Sequence, residues 1–187
     1  MALAEEEAVS KELDVAFGRR GVQSFVLDEA LSSLTARSCE LLRELSGGGI
    51  TLALSATTQS KSARGGALQR VGREIRIRSK SGEMVTRSLK QCSGGERRRV
   101  ALALALAYGE LAAESAACRV ELLVLDEALA HLDEDGMHAA ARLFRRLSYG
   151  TVLVVCQANS ALEGAFAKVD TVVKEDDRSF VVLDGSP

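Results

Sequence analysis

The chain has 187 residues, enough for one compact domain or one lobe of a larger one, and its 47% hydrophobic and 27% charged residues exclude a disordered chain. No uncharged stretch reaches the roughly 18 to 20 apolar residues of a membrane span, and the acidic start from Met1 to Glu12 is unlike a basic secretory or transit peptide. The net charge of −2 is uneven, because Lys61 to Arg99 holds 12 Lys and Arg against three acids, which points either to an anionic partner or to a solvated charged face.

Met1 to Asp14, rich in Glu and Ala, reads as the end of an exposed helix. From Gly21 to Leu45, apolar residues fall partly at helical spacing and give way to Ser46-Gly47-Gly48-Gly49, so a helix stopped by glycines is predicted. Ile50, Leu52 and Leu54 alternate with small polar or alanine positions. Ile75, Ile77, Met84 and Val85 flank a Ser81-Gly82 turn, which predicts short antiparallel strands, with Gln59 to Gly66 as a protruding loop.

Arg97 to Glu114 consists almost wholly of Ala, Leu and Arg and predicts a long, largely buried helix. Glu121 to Leu125 and Thr151 to Val155 are short Val- and Leu-rich runs separated by the helical pattern His138 to Leu147, a β-α-β rhythm that implies parallel strands. Val169 to Val173 and Phe180 to Leu183 predict a closing hairpin around Glu175-Asp176-Asp177. The single proline, Pro187, leaves no linker inside the chain. Cys39, Cys92, Cys118 and Cys156 contain no CxxC pair and read as free, buried thiols of a reducing intracellular compartment.

Two strings carry chemistry. Cys92-Ser93-Gly94-Gly95-Glu96 precedes the long helix. Its glycines let backbone N–H groups approach a ligand at a positive helix end, with the Ser93 hydroxyl beside them, which suits a phosphate. Ser93 and Glu96 also form a capping-box pattern. Leu122-Leu123-Val124-Leu125-Asp126-Glu127 is a strand ending in two carboxylates, the usual place for a Mg²⁺-holding aspartate with a glutamate that polarises water, although an exposed acidic turn has the same spelling. A near copy, Phe25 to Leu31, lies within a helical pattern and is treated as a decoy, with Asp28 and Glu29 on the surface.

Together these strings resemble the C-terminal half of an ABC-class ATPase head. Cys92 to Glu96 matches the signature, with cysteine for the usual leucine. Asp126-Glu127 matches the Walker B pair, and Ala130-His131-Leu132-Asp133 matches the D-loop. The run Ser93 to Arg99 followed by Ala-Leu repeats is most similar to SMC-like DNA-repair ATPases of the SbcC type. The resemblance implies an α/β fold, the C-terminal lobe of a P-loop ABC-type head. It would hold a largely parallel sheet with helices, short antiparallel strands, a coiled-coil base helix over residues 1–49 and the ATPase lobe over 50–187.

The same resemblance implies ATP and Mg²⁺ as cofactors. Ser93, Gly94, Gly95, Glu96 and Asp133 would serve nucleotide and dimer partner, Asp126 the metal, and Glu127 and Gln157 catalysis. Gln157 stands where the family has a switch histidine, and glutamine donates a hydrogen bond but carries no charge. No GxxxxGK[ST] phosphate loop occurs, so the chain reads as half a site that needs an N-terminal Walker A lobe. A second head (a homodimer), DNA and an SbcD-type nuclease are the implied partners, and a membrane is not. A non-catalytic dimerisation or DNA-binding module and a chromosome-organising head are the alternative readings. A transporter ATPase subunit is disfavoured by the missing loop. His131 and His138 sit in no metal-like spacing, and Arg97 to Arg99 meet nucleotide, DNA, a partner head or solvent.

Overall fold

In the computed structural model, the described residues are 2–18, 22–60, 67–157, 162 and 164–183. Helix α1 (Ala2–Phe17) is followed by α2 (Val22–Ser46). The glycines stop α2 as expected: Gly47 and Gly48 take positive φ of 57° and 75°, and the Gly48 N–H bonds the Arg43 carbonyl at 3.1 Å. That bond reaches back over the last turn in the Schellman pattern, which only residues tolerant of left-handed φ close without strain.

Strands β1 (Ile50–Ser60), β2 (Ala67–Arg78) and β3 (Met84–Arg87) form an antiparallel sheet in the order β1-β2-β3. The first two are 11 and 12 residues long, longer than the short strands expected. Gln59 and Ser60, assigned to a loop from sequence, belong to β1, and residues 61–66 of that loop lie outside the described residues. Ile50, Leu52, Ile75 and Ile77 are buried, so one face of this sheet lies on the core and alternation along the strands leaves the other wet.

A short 3-10 turn at Leu89–Gln91 leads to α3 (Gly94–Ser115). Then come β4 (Leu122–Asp126), α4 (Glu134–Phe144) and β5 (Thr151–Val155), with β4 and β5 paired in parallel. Helix α4 begins four residues before the apolar pattern suggested, because Asp133 caps it and Glu134 and Asp135 favour its positive end. The chain closes on the antiparallel hairpin β6 (Asp170–Glu175) and β7 (Arg178–Leu183), whose turn residues Asp176 and Asp177 both have positive φ, as a two-residue primed turn requires. Parallel pairing is thus confined, among the described residues, to β4 and β5.

One core joins Leu41, Leu42 and Leu45 of α2 to the inner face of β1 and β2, to Val100, Leu102, Ala103, Leu106 and Ala107 of α3, and to Met137, Ala140 and Phe144 of α4. The alanines of α3 are fully buried at Ala103 and Ala107, which lets α2 approach closely, and Arg37 of α2 locks the pair by meeting Glu110 and Glu114 of α3. The cysteines divide. Cys92 is buried and Cys39 half-buried, but Cys118 and Cys156 are exposed, contrary to the expectation that all four are buried. No described helix is long and apolar enough to cross a membrane.

Candidate nucleotide site

The string Cys92 to Glu96, expected from sequence to be the signature, caps a helix. Ser93 stands at the N-cap of α3 in extended conformation, its hydroxyl accepts from the Glu96 N–H at 3.2 Å, and the Glu96 carboxylate accepts from the Ser93 N–H at 2.6 Å. Glu96, grouped with the ligand-binding residues from sequence, therefore spends its carboxylate on the cap. The N–H groups of Gly94 and Gly95 have no carbonyl one turn back to bond, so they remain available donors at the positive end of a 22-residue helix. Ser93 and Gly94 are exposed, which leaves that end open to an anion.

Gly95 also sits close to a neighbouring backbone, since a Cβ there would stand a tight 3.2 Å from the His131 carbonyl oxygen. Cys92, where the resemblance expects a leucine, is buried, its thiol donating to the Ser88 carbonyl at 3.3 Å. Burial first, and then the Glu96 carboxylate, push that thiol above its usual range. Cys92 thus anchors the start of α3 in the core.

Asp126 and Glu127, expected from sequence to be the Walker B pair, stand at the end of β4. Asp126 pairs with Val155 of β5, and the Glu127 N–H extends the ladder to the Val155 carbonyl at 2.8 Å. Glu127 then turns with φ of 51°, a left-handed conformation costly for a glutamate and held here by neighbours. Both carboxylates are exposed. A groove of about 300 Å³ beside them is lined by Glu127, His131, Cys156 and Gln157 over a floor that includes Leu129 and Met137. The structure therefore gathers Glu127 and Gln157, from two different strands' ends, into one groove. Burial of the sulfur, and secondarily the Glu127 carboxylate, push the Cys156 thiol above its usual range although the residue as a whole is exposed. The decoy behaves as expected: Asp28 and Glu29 lie exposed on α2.

The three arginines of the first α3 turn have different fates, which the sequence did not distinguish. Arg97 is exposed and makes no hydrogen bond or ion pair among the described residues. Arg98 donates to the carbonyls of Glu127 at 2.8 Å and Ala130 at 3.1 Å, pinning the turn that follows Walker B. Arg99 donates to the Leu45 carbonyl at 2.9 Å and to Asp133 Oδ1 at 2.5 Å. Asp133 Oδ1 also accepts from the Gly136 N–H at 3.0 Å, capping α4, while the side chain stays 69% exposed and available beyond the chain.

Gly136 was missed from sequence. A Cβ there would stand 2.5 Å from Arg99 Nη2 and 2.7 Å from Asp133 Oδ1. Gly→Ala in a helix normally stabilises by about 0.5–1 kcal/mol. Here Gly136→Ala is expected to destabilise by about 1 kcal/mol, because Arg99 Nη2 and Asp133 Oδ1 have to shift off their mutual hydrogen bond to admit the methyl group. A urea midpoint that rises in Gly136→Ala would show that the guanidinium is not held there.

Residues 69–146, which span β2 to α4, match the family model described as SbcC/RAD50-like, Walker B motif. The fold is similar to that of a structure reported for ATP-driven dimerisation and DNA-stimulated activation of SMC ATPases, with a TM-score of 0.61 and 21% identity over 87% of this chain and 89% of that one. It is similar also to the Smc head domain with an extended coiled coil bound to the C-terminal domain of ScpA from Pyrococcus furiosus (TM-score 0.63, 20% identity, 96% of this chain and 40% of that one). A third likeness is the Smc head with coiled coil and joint from Pyrococcus yayanosii (TM-score 0.64, 21% identity, 96% and 31%). The chain thus spans less than half the length of these two heads. A search of curated proteins finds no match.

The chain therefore has the α/β fold of an SMC ATPase head. It is similar to the C-terminal lobe of such a head, and its middle carries the SbcC/RAD50-like Walker B motif.

The donor set fits part of an ATP–Mg²⁺ site. No three His, Cys, Asp or Glu converge among the described residues, and Asp126 is a single exposed carboxylate at the end of β4. That suits Mg²⁺, which keeps several waters and takes one or two carboxylates plus nucleotide phosphates.

Proposed function

We propose that this chain is the C-terminal half of an ATP-hydrolysing, SMC-like head that dimerises around ATP and regulates DNA binding in double-strand-break repair. The observation that carries the reading is the bare face of the β4-β5 sheet. Leu123, Leu125, Val152 and Val154 pack on the core, whereas Leu122, Val124, Leu153 and Val155 on the other face are between 46% and 55% exposed. Parallel strands are stable buried on both faces, and this bare apolar face runs directly into Asp126. A second lobe that covers it would bring its phosphate loop to the same strand ends, which is what a chain without that loop needs. Val9, Leu13 and Phe17 of α1 and Val22, Phe25 and Val26 of α2 are likewise exposed, which supports residues 1–49 as the base of a coiled coil and 50–187 as the ATPase lobe.

In the assembled head, meaning this chain with its Walker A lobe, the Ser93 hydroxyl and the Gly94 and Gly95 N–H groups would donate to the γ-phosphate held on the opposite head. Asp126 would hold Mg²⁺, which neutralises charge on the phosphates. The Glu127 carboxylate would accept a proton from the water that attacks the γ-phosphorus, and the bond to the β–γ bridging oxygen breaks to leave ADP and phosphate. Gln157, in the same groove, would donate one hydrogen bond to the transferring group. Asp133 would meet the partner head, and an SbcD-type nuclease would respond to the heads' separation.

Gln157 favours a second reading, a module that dimerises on ATP without turnover, because the switch position carries no charge. Cys92 does not add to it, being buried off the ligand surface. Nucleotide-dependent dimerisation without phosphate release from the assembled head would establish that reading. A chromosome-organising head is a further alternative, supported by the likeness to Smc heads.

DNA binding by the basic block should be steeply salt-dependent. Arg73, Lys80 and Lys90 are exposed and unpaired among the described residues, while Arg76 is engaged by Glu74, whose carboxyl that arginine holds below its usual range, and Arg64 lies outside the described residues. Charge reversal to Glu at Arg73, Lys80 and Lys90 in the assembled head should weaken binding and flatten the slope of log K against log salt by about 2–3. An unchanged slope would identify the block as a solvated face.

A further inference from the structure

At the end of α2 the Arg43 and Ser46 carbonyls accept from the Gly48 and Gly49 N–H groups, whereas the Leu45 carbonyl takes a side-chain donor from another helix, and the α4 N-cap presents a carboxylate to solvent. One side chain joins them. Arg99 is only 14% exposed, its Nε reaches the Leu45 carbonyl at 2.9 Å, and its Nη2 reaches Asp133 Oδ1 at 2.5 Å. Two glycines make room for it: a Cβ at Gly95 would lie 3.4 Å from Nη1 and one at Gly136 would lie 2.5 Å from Nη2. A planar fork with donors at fixed angles satisfies a carbonyl and a carboxylate at once, which an ammonium on a flexible stem does not.

We propose that Arg99 is a positioning residue that clasps the D-loop carboxylate Asp133 to the C-terminal end of α2, so that the setting of Asp133 and the setting of the helix end depend on each other. The coupling is reciprocal by thermodynamic necessity. Its consequence for function rests on the head-dimer reading above: a partner head that engages Asp133 would draw on the guanidinium and thereby address the base of the coiled-coil helix. The clasp itself is a property of this chain alone.

The test is amide hydrogen exchange on the 187-residue chain without nucleotide. Asp133→Asn keeps a good N-cap for α4 but removes the charge that holds the guanidinium. Exchange at Gly48, Gly49 and Ile50 should rise about fivefold, the low end of the usual coupling range. Arg99→Gln and Arg99→Lys should do the same, with wild-type protection kept from Leu102 to Leu106 in α3. The double variant Arg99→Gln/Asp133→Asn should exceed neither single one. Unchanged exchange at residues 48–50 in Asp133→Asn, a uniform rise across α2, α3 and β1, or additive effects in the double variant would each overturn the clasp. The head-dimer reading fails separately, if wild-type assembled heads do not associate in ATP whatever the exchange pattern.

Discussion

Glu127→Gln in the assembled head is expected to lower ATP turnover by about 10²–10⁴, the usual contribution of a general base. The amide keeps the size of the carboxylate, and the left-handed turn at residue 127 is held by the backbone bonds to Val155, Ala130 and Arg98, so the groove keeps its shape. ATP should therefore still bind, and the heads should accumulate as an ATP-held dimer visible by size-exclusion chromatography with light scattering. Asp126→Asn should instead weaken Mg²⁺-dependent nucleotide binding. Glu29→Gln, in the near copy on the exposed side of α2, should change neither property. Wild-type turnover in Glu127→Gln, or lost turnover in Glu29→Gln, would overturn the assignment of the Walker B acids.

The second large effect concerns assembly. The chain alone should turn over ATP at least about 10³-fold more slowly than the assembled head, since loss of even one preorganised donor costs about 10²–10³ in kcat and here a whole phosphate cradle is missing. Val124→Asp sharpens the test. Val124 is about half exposed in this chain, so the charge should leave the chain folded, with a circular dichroism spectrum like that of wild type. In the head the same carboxylate would be buried without a partner, which is costly enough to prevent the lobes from joining. Robust Mg²⁺-dependent turnover by the chain alone would sink the half-site reading. Undiminished assembly by Val124→Asp would show that the second lobe does not cover this face.

What the sequence determined by itself is the set of features whose physical cause is local. A capping box acts over three residues, so the start of α3 at Ser93 was legible, as was the glycine stop after α2. Short Val- and Leu-rich runs on either side of a helical pattern placed β4 and β5, and with them Asp126 and Glu127 at a strand end, because a brief wholly apolar run is the local mark of a parallel strand buried on both faces. The decoy at Asp28-Glu29 was separable for the same reason, its surroundings having helical spacing.

Only the tertiary structure decided which charges are structural. Arg97, Arg98 and Arg99 are identical letters in one turn, yet Arg98 meets a carbonyl 29 residues away and Arg99 one 54 residues away, while Arg97 faces water. Nothing in a helical pattern says which of three successive arginines faces a neighbouring element, since that depends on how α2, α3 and α4 cross. Gly136 was illegible on the same ground: its missing Cβ is needed by a guanidinium from another helix, not by its own backbone. The bare face of β4-β5 also emerged only in three dimensions, because a strand apolar on both sides is written alike whether its second cover lies in the same chain or has to be supplied by another.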